Sequence, residues 1–201
     1  MRKDEIFFRE KITKIFQRNG EIIDIGGGLR IDPERNNRGI HNSWAIDLAK
    51  NANYKILDKV SDYNPNIVGD IHNLPFKDNS IDAILCMSVL EHVEEPSRAV
   101  KEIYRSLKPG GYCFAQVPFI FYYHPMLGYY KDYYRFTRDG LEYLFRDFSS
   151  VEIINGRGAL ATVMNLFPFF SKRTSFFEML DKLFGKSASS QTDGFNVFCI
   201  K

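Results

Sequence analysis

Three consecutive glycines, Gly26-Gly27-Gly28, follow a short apolar run, and Asp24 stands two residues before the first of them. Two more acids close later apolar runs: Asp58 ends Tyr54–Asp58, and Asp70 follows Val68-Gly69. A glycine turn without Cβ atoms lets a ligand come close to the backbone. A carboxylate at the end of the neighbouring strand can accept both hydroxyls of a ribose. A polar residue followed by an apolar one, as in Asp70-Ile71, can bond an adenine amino group and cover its ring. Dinucleotide binding is disfavoured, because the third position of the G-x-G-x-x-G pattern is Ile31. A phosphate loop ending in Gly185-Lys186-Ser187 has Leu180 where glycine is required and no strand before it. What remains is an adenosine-containing ligand without phosphates.

A second group of residues could serve an acceptor. Nine of the eighteen residues 119–136 are aromatic, interrupted by His124, Asp132 and Arg135. The run is too irregular for one strand or helix. Half-apolar, half-polar rings such as Tyr123 and Tyr133, beside Arg135, suit a pocket for an amphipathic or ring-shaped molecule. Histidine is the usual base near neutral pH. His124 lies in this run and His92 follows the fourth expected strand, so these two are the candidate bases. His72 and His41 read as structural. No spacing marks a metal site.

These residues need elements to position them. Phe8, Ile12, Ile15 and Phe16 lie at helical spacing over residues 4–17, stopped by Asn19-Gly20. Short apolar runs predict strands at 21–25, 54–58, 66–68, 81–87, 112–117, 151–154 and 195–200. Helices are expected at 96–107, opened by Pro96, and at 138–148, capped by Thr137. Pro109-Gly110-Gly111 reads as the turn between the first of these and the next strand. Residues 29–53 are Asn/Arg-rich, contain Pro33 and offer only 43–50 as a short helix. The seven residues between the second and third strands are too few for a helical crossover, so that sheet edge is expected to be trimmed. Alternating strands and helices indicate an α/β fold with a mostly parallel sheet. Ligands bind such sheets at the carboxyl ends of the strands.

The 201 residues suffice for one domain: an N-terminal helix (1–19), a core (20–154) and a C-terminal lid or packing segment with the last strand (155–201). A net charge of +2 without a basic tract gives no electrostatic footprint for nucleic acid. Cys86, Cys113 and Cys199 each sit in a strand-like run and read as buried, reduced thiols of a cytoplasmic protein. The stretch 159–171 is too short to span a bilayer. Residues 159–185 carry Phe167, Phe169, Phe170, Phe176, Phe177 and Phe184 among Lys172, Arg173 and Lys182. They allow three readings: a lid, a peripheral membrane contact, or packing against the sheet or a homodimer partner.

Several blocks resemble class I S-adenosylmethionine-dependent methyltransferases, nearest the type 11 group. They are Ile22–Gly28, Val68–Phe76, Asn79–Ile84, Val89-Leu90-Glu91-His92-Val93 and Leu107–Gly111, in the family's order over about residues 20–150. The resemblance implies a Rossmann-like sheet whose last strand is antiparallel. It implies S-adenosylmethionine as cofactor and S-adenosylhomocysteine as product. Asp24, Gly26, Gly27 and Gly28 then border the methionine end, Asp58 holds the ribose, Asp70 and Ile71 frame the adenine, and Cys86 or Met87 lines the pocket. Two features depart from the pattern: Arg30 replaces a third glycine, and Asp58 lies thirty residues beyond Gly28. The implied reaction is methyl transfer to an oxygen or nitrogen of a small-molecule, sugar or lipid-linked acceptor. The competing expectation, motivated by Arg30, is a catalytically degenerate scaffold or partner subunit.

Overall fold

The computed structural model describes residues 1–32, 39–167, 169 and 174–201. Pro33, Phe170, Lys172 and Arg173, named above, lie outside the described residues. Helix α1 (Lys3–Phe16) leads into β1 (Glu21–Ile25). A 3-10 turn at Ser43–Ala45 continues into the short α2 (Ile46–Ala49) and then β2 (Asn53–Asp58). The core continues with β3 (Ile67–Val68), β4 (Ile81–Met87), α3 (Pro96–Ser106) and β5 (Leu107–Pro118). It closes with α4 (Arg138–Leu144), β6 (Ser150–Asn155), α5 (Ala159–Asn165), α6 (Thr174–Leu183) and β7 (Gly194–Ile200).

The strands form one sheet in the order β3-β2-β1-β4-β5-β7-β6. All neighbours run parallel except β7, which is antiparallel to both β5 and β6. β3 contributes two residues, and its connection from β2 holds only a 3-10 turn, Ser61–Tyr63, as the short spacing demanded. Chain order reverses at β1: the next strand lies on one side and β4 on the other. That reversal opens a crevice at the carboxyl ends of β1 and β4.

Side chains alternate between the two sheet faces. Ala83, Leu85 and Met87 face a core shared with Phe7, Ile12, Ile15 and Phe16 of α1. Ile84 and Cys86 face the opposite core, with Ala99, Val100 and Ile103 of α3 and with Leu141 of α4. Phe114, fully buried at the centre of β5, meets the rings of Phe7 (6.3 Å) and Phe8 (5.5 Å) and fastens α1 to the sheet. All three cysteines are buried free thiols.

Two boundaries differ from the sequence expectation. The helix expected at 138–148 ends at Leu144, although Thr137 caps it by accepting the Gly140 amide (3.1 Å). The amide of Phe148 bonds the Phe145 carbonyl, and this tight turn puts both Phe145 and Phe148 in the core. Pro109-Gly110-Gly111 is not a turn before β5 but lies within it, as a bulge. Leu107 pairs with Ile81 and Tyr112 with Ala83, so the triplet is extruded from the ladder. Its backbone is satisfied elsewhere, by the Lys201 carbonyl (2.8 Å) and the Arg18 guanidinium (2.7 Å).

α5 and α6 pack together, tied by the buried Asp181 carboxylate, which accepts the amides of Leu160 (2.8 Å) and Ala161 (2.9 Å) at the start of α5. Val163, Leu166, Phe167, Phe176, Met179, Leu183 and Phe184 remain exposed. No helix among the described residues is long and apolar enough to cross a membrane.

Phe114→Ala removes a ring from the middle of the sheet. It is expected to lower the unfolding free energy by about 3–5 kcal/mol. A drop in the denaturant midpoint with an unchanged slope is the measurement.

Candidate active site

The glycine turn is held from behind. Asp24 is fully buried, and its carboxylate accepts the amides of Gly28 (3.1 Å) and Leu29 (3.0 Å) and the Tyr54 hydroxyl (2.6 Å). The Gly27 amide bonds the Asp24 carbonyl, and the Gly26 amide crosses to the Leu57 carbonyl of β2 (2.8 Å). Gly26 has φ +73°, and a Cβ there would strike Val89. At Gly28 a Cβ would lie 2.7 Å from the Met87 carbonyl oxygen, so only glycine lets the loop pass the end of β4. Beyond it, Leu29 and Ile31 drop into the α1 core, while Arg30 turns through φ +52° at the surface.

In front of the turn lies a cleft of about 980 Å³. Gly26, Gly28, Asp58, Asp70, Ile71, Met87, His92, Tyr123, His124 and Tyr133 all line it, as do Arg30 and His41. The structure thus brings together most of the residues singled out from sequence. Asp24, Gly27, Cys86 and Arg135 do not line it. Asp24 and Gly27 shape the turn from its inner side. Cys86 points its thiol into the core, where burial pushes it well above the ordinary range.

Asp58 is buried at the end of β2, with one carboxylate oxygen on the Val60 amide (3.0 Å). Asp70 accepts the His72 amide (2.9 Å) and faces the His72 ring (2.7 Å) and the Lys59 ammonium (2.9 Å). Partial burial pushes its carboxyl upward, but the His72 amide, Lys59 and the His72 ring outweigh that and hold it at about 2. The Lys59 partner is an exposed ammonium, so exchanging it for another donor costs little.

The aromatic segment forms a strap over the cleft. Phe136 rejoins the sheet through the Pro118 carbonyl (3.0 Å). Asp132, whose side chain is fully buried, grips Arg135 at 2.6 and 2.8 Å and accepts the His124 amide (2.8 Å). Arg135 also bonds the Tyr122 carbonyl (2.7 Å). Arg135 is therefore a buckle of the strap rather than a pocket residue. At the far end Tyr129 stacks on Tyr63 (5.4 Å), beyond β2. Tyr133 gives its hydroxyl to Glu94 (2.8 Å), and Tyr123 is largely exposed at the rim.

A second cavity, of about 670 Å³, lies toward β7. Gln116, Asn196, Arg157 and Asp193 give it polar walls, and Asn165 and Leu166 at the end of α5 border it. His124 lines both cavities. Beside it is a residue that the sequence reading quoted but gave no role, Glu91. Its side chain is 1% exposed, and its Oε1 lies 3.8 Å from His124 Nε2 and 3.9 Å from His92 Nε2. The Glu91 carboxylate raises the pKa of His124 above its usual value, against the pull of partial burial. The signal in the sequence was adjacency: an acid joined to a histidine directly after a strand that ends at the ligand edge.

Residues 23–115 match the family model described as a methyltransferase domain. The chain is 30% identical over 112 residues to the ubiquinone biosynthesis O-methyltransferase of Hydrogenovibrio crunogenus, covering 53% of this chain and 46% of that protein. It is 28% identical over 107 residues to the chloroplastic 2-methyl-6-phytyl-1,4-hydroquinone methyltransferase 2 of Oryza sativa subsp. japonica, covering 48% of this chain and 29% of that protein. The chain thus spans less than half the length of these curated relatives. Among solved structures it is similar to a SAM-dependent methyltransferase from Archaeoglobus fulgidus, with a TM-score of 0.60 and 14% identity over 96% of this chain and 90% of that one.

Asp24→Ala leaves the Gly28 and Leu29 amides and the Tyr54 hydroxyl without this acceptor. The expected loss is about 3–5 kcal/mol of stability. Asp24→Asn, which keeps an acceptor oxygen, should lose less; thermal unfolding of the two variants side by side tests the order.

Proposed function

We propose that this chain, built on a methyltransferase domain of the class I fold, is an S-adenosylmethionine-dependent methyltransferase acting on a small-molecule or lipid-linked acceptor. The observation that carries the reading is the junction at His124. One cavity there has the glycines and carboxylates for a sulfonium nucleoside, and the other is an adjoining chamber that combines polar and apolar walls.

The residues fit the cofactor. At Gly28 a Cβ would crowd the end of β4, so the bare backbone leaves the cleft open beside the turn. Asp58, Asp70 and Ile71 all line the cleft, which supports Asp58 as the acceptor of ribose hydroxyls and Asp70 with Ile71 as the adenine's partners. Met87 borders the cleft at the end of β4. When bound, the cofactor supplies an electrophilic methyl group on a positively charged sulfur. The chain itself supplies position: the strap lines the cleft beside the junction, and the rate gain of such a displacement comes largely from alignment. His124 and His92 flank the meeting point as the polar groups nearest an acceptor's proton.

Gln116, Asn196 and Arg157 favour a polar acceptor head in the second chamber. Leu166 lines that chamber and also belongs to the exposed apolar face of α5 and α6. An acceptor with a polar head and an apolar tail would find both surfaces contiguous, which favours the lipid-linked reading. The same face would then meet a membrane surface peripherally, through burial of apolar area.

Calorimetric titration with S-adenosylhomocysteine tests the reading. The wild-type chain should bind it, and Asp70→Ala and Asp58→Ala should each weaken binding tenfold or more, the usual size for a lost hydrogen bond to a charged group. Since Asp70 titrates near 2, its share of the affinity should stay flat from pH 5 to 9. Absence of wild-type binding ends the proposal. Labelled methyl groups entering any component of a cell extract would count against a scaffold role.

A further inference from the structure

Glu91, His92 and His124 offer one ligand atom each, all within 4.8 Å of one another. The tautomers follow from their hydrogen bonds. His92 Nδ1 lies 2.7 Å from the Lys131 carbonyl and His124 Nδ1 lies 2.9 Å from the Tyr122 carbonyl. A carbonyl oxygen only accepts, so both Nδ1 atoms carry hydrogen. In the neutral rings both Nε2 lone pairs then face the Glu91 carboxylate, an arrangement relieved only by a proton or a bound cation. Anchoring one imidazole nitrogen on a backbone carbonyl is how metal-binding histidines are oriented.

The carboxylate itself is unusual. Glu91 is 1% exposed, and its Oε2 has no hydrogen-bond partner. An ionised carboxylate with an unsatisfied oxygen is costly to bury unless a cation compensates it. The imidazoles stand 3.8 and 3.9 Å from its other oxygen, beyond hydrogen-bond range. Ligand atoms around a common ion at about 2.0–2.2 Å lie roughly 3–3.5 Å apart, so the widest pair must close by about 1.5 Å.

We propose that Glu91, His92 and His124 bind a divalent first-row transition cation in the wall between the two cavities. Two imidazoles with one carboxylate and open remaining positions are the donor set of catalytic zinc and of non-haem iron(II) sites. Such a set disfavours calcium and magnesium, which take oxygen ligands. The buckle Asp132–Arg135 holds His124 in place, and the Glu91 carbonyl accepts the Tyr133 amide (2.7 Å), so strap and ligands are positioned together.

The site deepens the methyltransferase reading and rests on it for its role. Glu91 and His124 line the second chamber, while His92 and His124 line the cleft. A cation there meets an acceptor from the chamber at the point where the methyl arrives. As a Lewis acid it would lower the pKa of a coordinated hydroxyl: the oxygen would bond the methyl carbon as the sulfur–methyl bond breaks, S-adenosylhomocysteine would leave, and the hydroxyl proton would pass to water in the open cleft. The acceptor class is therefore a molecule bearing a hydroxyl, methylated on oxygen.

The test uses the full chain stripped with a chelator and titrated with CoCl2 and ZnCl2. One equivalent of Co2+ should bind with visible absorption bands of a nitrogen-ligated ion. Affinity should fall tenfold or more in Glu91→Gln and be lost in the His92→Asn/His124→Asn double variant. The histidine pair is the more accessible alternative should a change at buried Glu91 prevent folding, and circular dichroism reports that. Binding that is absent, or equal in wild type and double variant, overturns the site. Calorimetry with S-adenosylhomocysteine on the stripped protein runs in parallel. If it binds while Co2+ and Zn2+ do not, the cation site falls and the methyltransferase reading stands. If the cation binds while S-adenosylhomocysteine does not, the reading falls and the metal site stands as a site of other use.

Discussion

One carboxylate inside the first strand governs the ligand edge. Asp24 is buried, accepts the amides that close the turn after β1, and fixes the direction in which Gly28 and Leu29 leave the sheet. A buried acid is costly unless hydrogen-bonded, so the loop and the acid hold each other in one arrangement. Tyr54, from the neighbouring β2, adds a third donor and couples the turn to the strand that delivers Asp58. The floor of the cleft and one of its walls are thereby set by the same group. The glycines then do the complementary work: they allow the close passage that Asp24 enforces.

The strap and the sheet meet the same edge from the other side. The strap leaves β5 at Pro118, arches toward β2, and returns to α4 through a hydrogen bond to Pro118 itself. Its aromatic content suits this task, because rings cover area with few rotatable bonds and still offer hydroxyls to their surroundings. Tyr133 and Tyr134 both direct their hydroxyls to Glu94, on the stretch between β4 and α3. The segment carrying Glu91 and His92 is thus packed between sheet and strap.

Local patterns were sufficient for the sheet and for the cleft's lining, because both depend on features that recur within a few residues. The glycine turn, the strand-ending acids and the apolar run Ile81–Met87 are of this kind. Asp24 looked like a ligand contact because its spacing from the glycines is the same whether it faces the ligand or the loop's interior. Arg135 looked like a pocket residue because nothing in its neighbourhood shows that Asp132, three residues earlier, takes up its guanidinium. Pro109-Gly110-Gly111 read as a turn because the compensating partners, Arg18 and Lys201, lie at opposite ends of the chain. Glu91 carried no mark of burial in its type, since glutamate is seldom buried. Only the three-dimensional approach of His124, thirty-three positions on, gives it significance.

The short β3 and the 3-10 turn before it have a consequence for traffic through the molecule. The strap is clamped firmly at its base by the Asp132–Arg135 pair, whereas its tip rests on Asp62 and Tyr63 through a ring stack and contacts at the hydroxyls. Such tip contacts contribute only about 1–2 kcal/mol. Peeling the tip therefore breaks weaker contacts than loosening the base. A hinge on the β2 side would open the cleft at the end away from the cavity near β7, so the two cavities have separate entrances.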